Sequence, residues 1–155
     1  IWAPDEISDE KLEKIKLILD ANNISSEKIG EKTLDRIQSR VIFIDSIGKL
    51  SRLYWEGQIA YVGGGFSSGV HNVMEPAIAR LPVLFGSKYN NSDESIQLIK
   101  NGGGFVVKDS TDFYMRIKML FDNNEELIKS SYSSTNVIHD NLGSSTRVVR
   151  GLIHD

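Results

Sequence analysis

The chain has 155 residues, 40% of them hydrophobic and 25% charged, which suits one ordinary globular domain, residues 1–155, with a core of its own. A formal net charge of −3 argues against a nucleic-acid partner or an anionic membrane surface, because those need clustered Lys and Arg, so any anion must be caught locally. The absence of Cys excludes disulfides, thiolate catalysis and Cys-ligated zinc, and no apolar run approaches the roughly 20 residues that span a bilayer.

The chain opens Ile1-Trp2-Ala3-Pro4 without Met, an apolar stretch that reads as a strand entered partway, and hence as the start of a fragment. Ser8 can cap a helix with Leu12, Ile15, Ile18 and Leu19 on one face, closed by Asn22-Asn23. The stretch 22–40 is polar and without a clear period, and reads as loop with room for one short helix. Val41-Ile44 is a second strand, and Ile47, Leu50, Leu53 and Tyr54 form a helical stripe that stops at Gly57. Ile59-Val62, Val83-Phe85 and Phe105-Val107 are continuous apolar runs of strand length, the pattern of strands covered on both faces. Ser92 opens a further helix that stops at Asn101-Gly102. From Thr111 onward the period is helical only, with stripes at Phe113, Ile117, Leu120 and Phe121, at Leu127-Ile128 and at Val148, Val149, Leu152 and Ile153.

Strand and helix alternate through the middle of the chain. That order predicts an α/β fold: a Rossmann-like parallel sheet with helices on both faces, right-handed crossovers and a helical C-terminal tail. Its ligand crevice lies at the carboxyl ends of the strands.

The run Val62-Gly63-Gly64-Gly65-Phe66-Ser67-Ser68-Gly69-Val70-His71-Asn72-Val73-Met74-Glu75-Pro76 sits at such an end, between a strand and a helix. Glycines let a backbone approach a ligand, and the free amides of the next helix can face an anion. Ser67, Ser68 and Asn72 add hydroxyl and amide groups for phosphate or sugar oxygens. The glycine spacing fits neither a dinucleotide fingerprint nor a P-loop. A plain tight turn remains an alternative for the glycines. Glu75 reads in two compatible ways, as a carboxylate for ribose hydroxyls and as half of a capping box with Asn72 as N-cap. His71 is a neutral donor, a phosphate partner when protonated, or a satisfied loop residue. His139 and His154 have no carboxylate cluster at ligand spacing and read as surface residues, so no metal site is expected. Asp45-Ser46-Ile47-Gly48 follows a strand, where Asp45 or Ser46 can cap the next helix, or the backbone of Ser46, Ile47 and Gly48 can meet a nucleobase edge. Lys88 follows another strand, where it could touch a ligand carboxylate or simply be solvated, and Glu94 is consistent with first-turn helix charge.

Taken together these residues resemble the 3-deoxy-D-manno-octulosonic acid (Kdo) transferases. Asp45-Ser46-Ile47-Gly48 with Leu50 and Tyr54 resembles that family's Asp-x-x-Gly-x-Leu-x-x-x-Tyr element. Gly63-Gly64-Gly65, then His71-Asn72-x-x-Glu75-Pro76-Ala77, resembles its glycine-rich His-Asn-x-x-Glu signature, and Pro82-Val83-Leu84-Phe85-Gly86 with Tyr89 and Glu94, then Gly102-Gly103-Gly104-Phe105, continue in the same order. The resemblance covers residues 1–107 by motif. Lys49 stands where the family often has an acidic residue, Ser87 where it often has Pro, and Asp5 where His is expected.

The resemblance implies the C-terminal half of an inverting GT-B glycosyltransferase that binds CMP-Kdo and uses no metal or other cofactor. It implies that Glu75 holds the ribose, that Gly63, Gly64, Gly65, Ser67, Ser68, His71 and Asn72 hold phosphate and Kdo, and that Ser46, Ile47 and Gly48 hold the cytosine. The acceptor, a lipid A precursor, the catalytic base and the membrane contact are expected in an N-terminal domain, with the parent enzyme at the cytoplasmic face of the bacterial inner membrane and this piece soluble and inactive alone. The same motifs would serve the donor domain of a GT-B enzyme using a UDP-sugar, or a non-catalytic nucleotide-binding module.

Overall fold

A computed structural model of the chain describes residues 1–4, 8–29, 38–44 and 50–141, with side chains to 138 except that of Ile29. It contains two compact units, residues 1–50 and 51–155.

In the first unit, helix α1 (Asp9–Ala21) is capped by Ser8, whose side chain accepts from the Lys11 amide, and it ends at Asn22. Its apolar stripe is shallow: Leu12, Ile15 and Leu19 are half-buried, and Ile18 is exposed. Strands β1 (Ser26–Ile29) and β2 (Val41–Ile44) pair in parallel, Ser26 opposite Val41. Here the structure departs from the sequence expectation, since β1 lies in the stretch read as loop. Ser-Glu-Lys-Ile offers no apolar alternation, and its extended form is held by backbone pairing to β2 rather than by propensity. The strand expected at Ile1-Trp2-Ala3 shrinks to one bridge: the Trp2 amide donates to the Ile42 carbonyl at 2.7 Å and the Ile44 amide to the Trp2 carbonyl at 2.9 Å. The indole packs on Phe43 at 5.8 Å between ring centres.

The second unit is built on a three-stranded parallel sheet, β3 (Ala60–Val62), β4 (Val83–Gly86) and β5 (Gly104–Val107), in that spatial order. Alternate β4 side chains point to opposite faces. Val83 and Phe85 join Val62, Val73, Ala77, Leu98 and Val137 in one core, under helices α3 (Met74–Ile78), α4 (Asp93–Asn101) and α6 (Asn124–Asn141). Leu84 turns the other way, to Val107 and to Leu120 of α5 (Ser110–Asp122), with Phe113 and Ile117 beside it. Helices therefore cover both faces of this sheet, as the continuous apolar runs required. Ser92 and Gly102 cap α4 as expected, and Asp109 caps α5 through the Asp112 amide. α2 (Leu50–Leu53) continues as a 3₁₀ turn to Glu56 and stops at Gly57. The apolar stripe at 148–153 lies outside the described residues. Among the described residues no helix is long and apolar enough to cross a membrane.

The β3 loop crosses the end of β4 with almost no space between backbones. A Cβ on Gly65 would sit 2.6 Å from the Gly86 nitrogen, and one on Gly86 would sit 2.6 Å from the Gly65 carbonyl carbon. A Cβ on Gly63 would meet only the His71 ring, at 3.9 Å, an ordinary contact. We therefore expect Gly65→Ala and Gly86→Ala each to destabilise the chain by about 1–3 kcal/mol through overpacking, with Gly63→Ala within about 0.5 kcal/mol of the unsubstituted chain. Urea denaturation followed by circular dichroism checks this, and equal costs at Gly63 and Gly65 would contradict the crossing. Leu84→Ala, at a side chain with no solvent exposure, should cost about 2–5 kcal/mol in the same assay.

Candidate functional site

The site is a loop, residues 63–73, leaving the carboxyl end of β3, with a second loop, 87–92, leaving the carboxyl end of β4. The carboxyl ends of two neighbouring parallel strands are thereby brought to one edge, where an α/β sheet presents ligands.

The first loop is tied largely to itself. The Ser67 and Gly69 amides donate to the Gly64 carbonyl at 2.8 and 3.1 Å, the Ser67 hydroxyl donates to the same carbonyl at 3.2 Å, and the His71 amide donates to the Gly63 carbonyl at 3.1 Å. Gly64 has φ +83°, and a Cβ there would collide with the Gly69 carbonyl oxygen and the His71 ring. Glycine at this position is a steric requirement, and it lets the exposed imidazole lie over the turn. Among the described residues the Phe66 and Ser68 amides donate to no protein group, which leaves them for a ligand. The Ser67 and Ser68 side chains are exposed.

The second loop fastens the first. The Lys88 amide donates to the Gly65 carbonyl at 2.8 Å, the Lys88 carbonyl accepts from the Val70 amide at 3.0 Å, and Lys88 Nζ donates to the Ser67 carbonyl at 2.9 Å. The Asn91 side chain accepts from the Val70 amide at 3.2 Å and donates to the Val70 carbonyl at 3.1 Å. Asn91 escaped sequence reading because nothing local distinguishes it from any other loop Asn; its role appears only when two distant loops meet.

Two expectations change in detail. The helix after the loop begins at Met74 and runs only five residues, with Val73 at its N-cap. The Met74 amide is already taken, by Asn72 Oδ1 at 2.9 Å. An anion here would be met by loop amides rather than by the first turn of a helix. The capping box is replaced by a side-chain bond, since Asn72 Nδ2 donates to Glu75 Oε1 at 3.1 Å. With its oxygen held by a backbone amide and its nitrogen on the carboxylate, Asn72 fixes where Glu75 points. Tyr54 packs on Ala60, Ala79 and Leu81. Burial, and secondarily the Glu75 carboxylate, raise the Tyr54 pKa above the ordinary phenol value, so its hydroxyl stays protonated beside that carboxylate.

The structure thus gathers Gly63, Gly64, Gly65, Ser67, Ser68, His71, Asn72 and Glu75 on one continuous segment at the sheet edge. Ser46, Ile47 and Gly48 lie outside the described residues, as do Asp5 and Lys49. The arrangement offers neutral donors for an anion, one half-buried carboxylate that can accept a pair of hydroxyls, and a loop too tightly bonded to rearrange freely.

No family model matches the sequence. The chain is 34% identical over 127 residues to the 3-deoxy-D-manno-octulosonic acid transferase of Aquifex aeolicus, a match covering 73% of this chain and 35% of that protein. It is 33% identical over 129 residues to the transferase of the same name from Chlamydophila psittaci, covering 81% of this chain and 29% of that one. It is 27% identical over 152 residues to a bifunctional glycosyltransferase/methyltransferase of Fusobacterium nucleatum, covering 94% of this chain and 24% of that protein. The chain therefore spans about a third or less of the length of these relatives. Among solved structures, the C-terminal CMP-Kdo binding domain of WaaA from Acinetobacter baumannii superposes with a TM-score of 0.71 at 19% identity, over 84% of this chain and 69% of that one. By its sequence the chain belongs to the family of 3-deoxy-D-manno-octulosonic acid transferases, and it has the fold of that C-terminal domain.

Proposed function

We propose that this chain is the donor-binding domain of a Kdo transferase, a single domain of a longer GT-B enzyme that takes CMP-Kdo and passes the sugar to a lipid A precursor with inversion. The observation that carries this reading is the pairing, on one segment at the sheet edge, of a Glu75 carboxylate oriented by Asn72 with loop amides at Phe66 and Ser68 that no protein group among the described residues engages.

In this reading Glu75 accepts hydrogen bonds from the two ribose hydroxyls, and the Phe66 and Ser68 amides with the Ser67 and Ser68 hydroxyls meet the phosphate. His71 stands at the phosphate–sugar junction, the backbone of Ser46, Ile47 and Gly48 takes the cytosine, and Asn72 acts through Glu75. When the bond between the sugar and the phosphate oxygen breaks, negative charge grows on the departing CMP. Amide dipoles fixed beforehand stabilise that charge without reorganising, the usual source of such catalysis. The acceptor groove, the catalytic base and the contact with the cytoplasmic face of the inner membrane belong to the rest of the enzyme, and the reading calls on no cofactor beyond the donor. A UDP-sugar enzyme or a free-standing nucleotide-binding module is less favoured, because the relatives are named as Kdo transferases or as a glycosyltransferase/methyltransferase.

Calorimetric titration with CMP, with UDP as control, tests this. We expect selective binding of CMP, weakened by Glu75→Ala by about 1.5–3 kcal/mol, the size of hydrogen bonds to a charged group. The same substitution should leave 2′,3′-dideoxy-CMP affinity unchanged, because the hydroxyls that Glu75 reads are gone. Selective binding of UDP, or an equal effect of Glu75→Ala on both cytidine nucleotides, contradicts the assignment.

A further inference from the structure

Lys88 lies at this edge without a ligand assigned to it. Its ammonium donates to the Ser67 carbonyl at 2.9 Å, which uses one of three N–H donors. Among the described residues no carboxylate lies within ion-pair distance of it. A lysine on a solvated loop is normally a flexible point charge. This one is pinned at both ends, since its backbone bonds Gly65 and Val70 while its side chain bonds Ser67.

The direction of the Ser67–Ser68 peptide then matters. The chain has no cis peptide bond, and in a trans peptide the carbonyl and the following amide point opposite ways. The Ser67 carbonyl faces Lys88, so the Ser68 amide faces away from it. The charged donor and the neutral amide donor stand on opposite sides of one peptide plane, an arrangement suited to two anionic groups of one ligand rather than to a single phosphate.

Resting on the donor reading above, we propose that Lys88 is a specificity-determining residue whose ammonium binds the carboxylate of an acidic sugar, on the other side of the Ser67–Ser68 peptide from the nucleotide phosphate. A neutral hexose offers nothing to this cation. An ulosonic acid linked through phosphate to a nucleotide presents both anions, a short distance apart.

Amide chemical shifts of the full chain, unsubstituted and as Lys88→Met and Lys88→Arg, provide the test. Each protein is titrated with CMP, and with 3-deoxy-D-manno-octulosonate in the presence of CMP. We expect Lys88→Met to weaken the sugar acid by about tenfold or more, to leave CMP within about twofold, and Lys88→Arg to retain most sugar-acid affinity because the charge remains. An otherwise unchanged amide spectrum of Lys88→Met shows that the loop is intact; if that spectrum is disturbed, the Lys88→Arg and unsubstituted chains decide, since both should bind the sugar acid and lose affinity for its uncharged methyl ester, and equal binding of acid and ester overturns the proposal. Unaltered sugar-acid binding in Lys88→Met, equal weakening of CMP and sugar acid, or no saturable shifts from the sugar acid in the unsubstituted chain each overturns the proposal. Lys88-dependent binding of the sugar acid without any binding of CMP would instead sustain Lys88 and remove the nucleotide reading.

Discussion

The site depends on one close approach, the crossing of the Gly65 and Gly86 backbones, where a Cβ on either residue would lie 2.6 Å from the other's main chain. β4 has no exposed residue, so its carboxyl end is as rigid as the core beneath it. Laying the β3 loop directly on that end gives the loop a fixed floor. The bonds from Lys88 and Asn91 to Gly65, Ser67 and Val70 follow from this contact, because each needs the two loops within hydrogen-bond distance. Sequence composition reaches function here through packing: two residues without side chains allow the layers to touch, and the touching orders the polar groups above them.

Several of those polar groups hold the loop. The Gly64 carbonyl accepts from two amides and a hydroxyl, and Asn72 commits both ends of its amide group. Preorganisation of this kind costs conformational entropy during folding rather than at binding, which is where it benefits affinity. Tyr54 stands beside these groups: its ring packs on Ala60, Ala79 and Leu81, and burial, with the Glu75 carboxylate second, raises its pKa.

Much of this was legible beforehand, for physical reasons that differ by element. β3, β4 and β5 declared themselves because strands buried on both faces must be continuously apolar, and Ser8 and Ser92 sit at helix starts where a side-chain acceptor is needed. The glycine-rich segment was recognisable from residue type and position, and the structure gives Gly64 and Gly65 separate reasons to lack a Cβ. β1 was not legible, because Ser-Glu-Lys-Ile becomes a strand only by borrowing hydrogen-bond partners from β2, distant in sequence. The capping box was a sound local inference from Asn72 and Glu75, defeated by a helix start one residue later, which sends the amide of Asn72 to the carboxylate itself. Lys88 could not be distinguished from any solvated lysine until the loop it bonds was in place.

An acidic chain that receives an anionic ligand must do so against its own long-range field. With a net charge of −3 it gains little from electrostatic steering, and discrimination has to come from contacts shorter than the Debye length of roughly 8–10 Å. Backbone amides suit that requirement, since they carry no net charge and their direction is set by the fold. A single ammonium placed among them adds attraction where a second anion would lie without making the whole edge a sink for phosphate. The same balance favours release. In the proposed reading, a leaving nucleotide held by neutral dipoles would be stabilised as its charge develops, yet not trapped by an ion pair once the sugar has gone, while the cation would act on an acidic sugar alone.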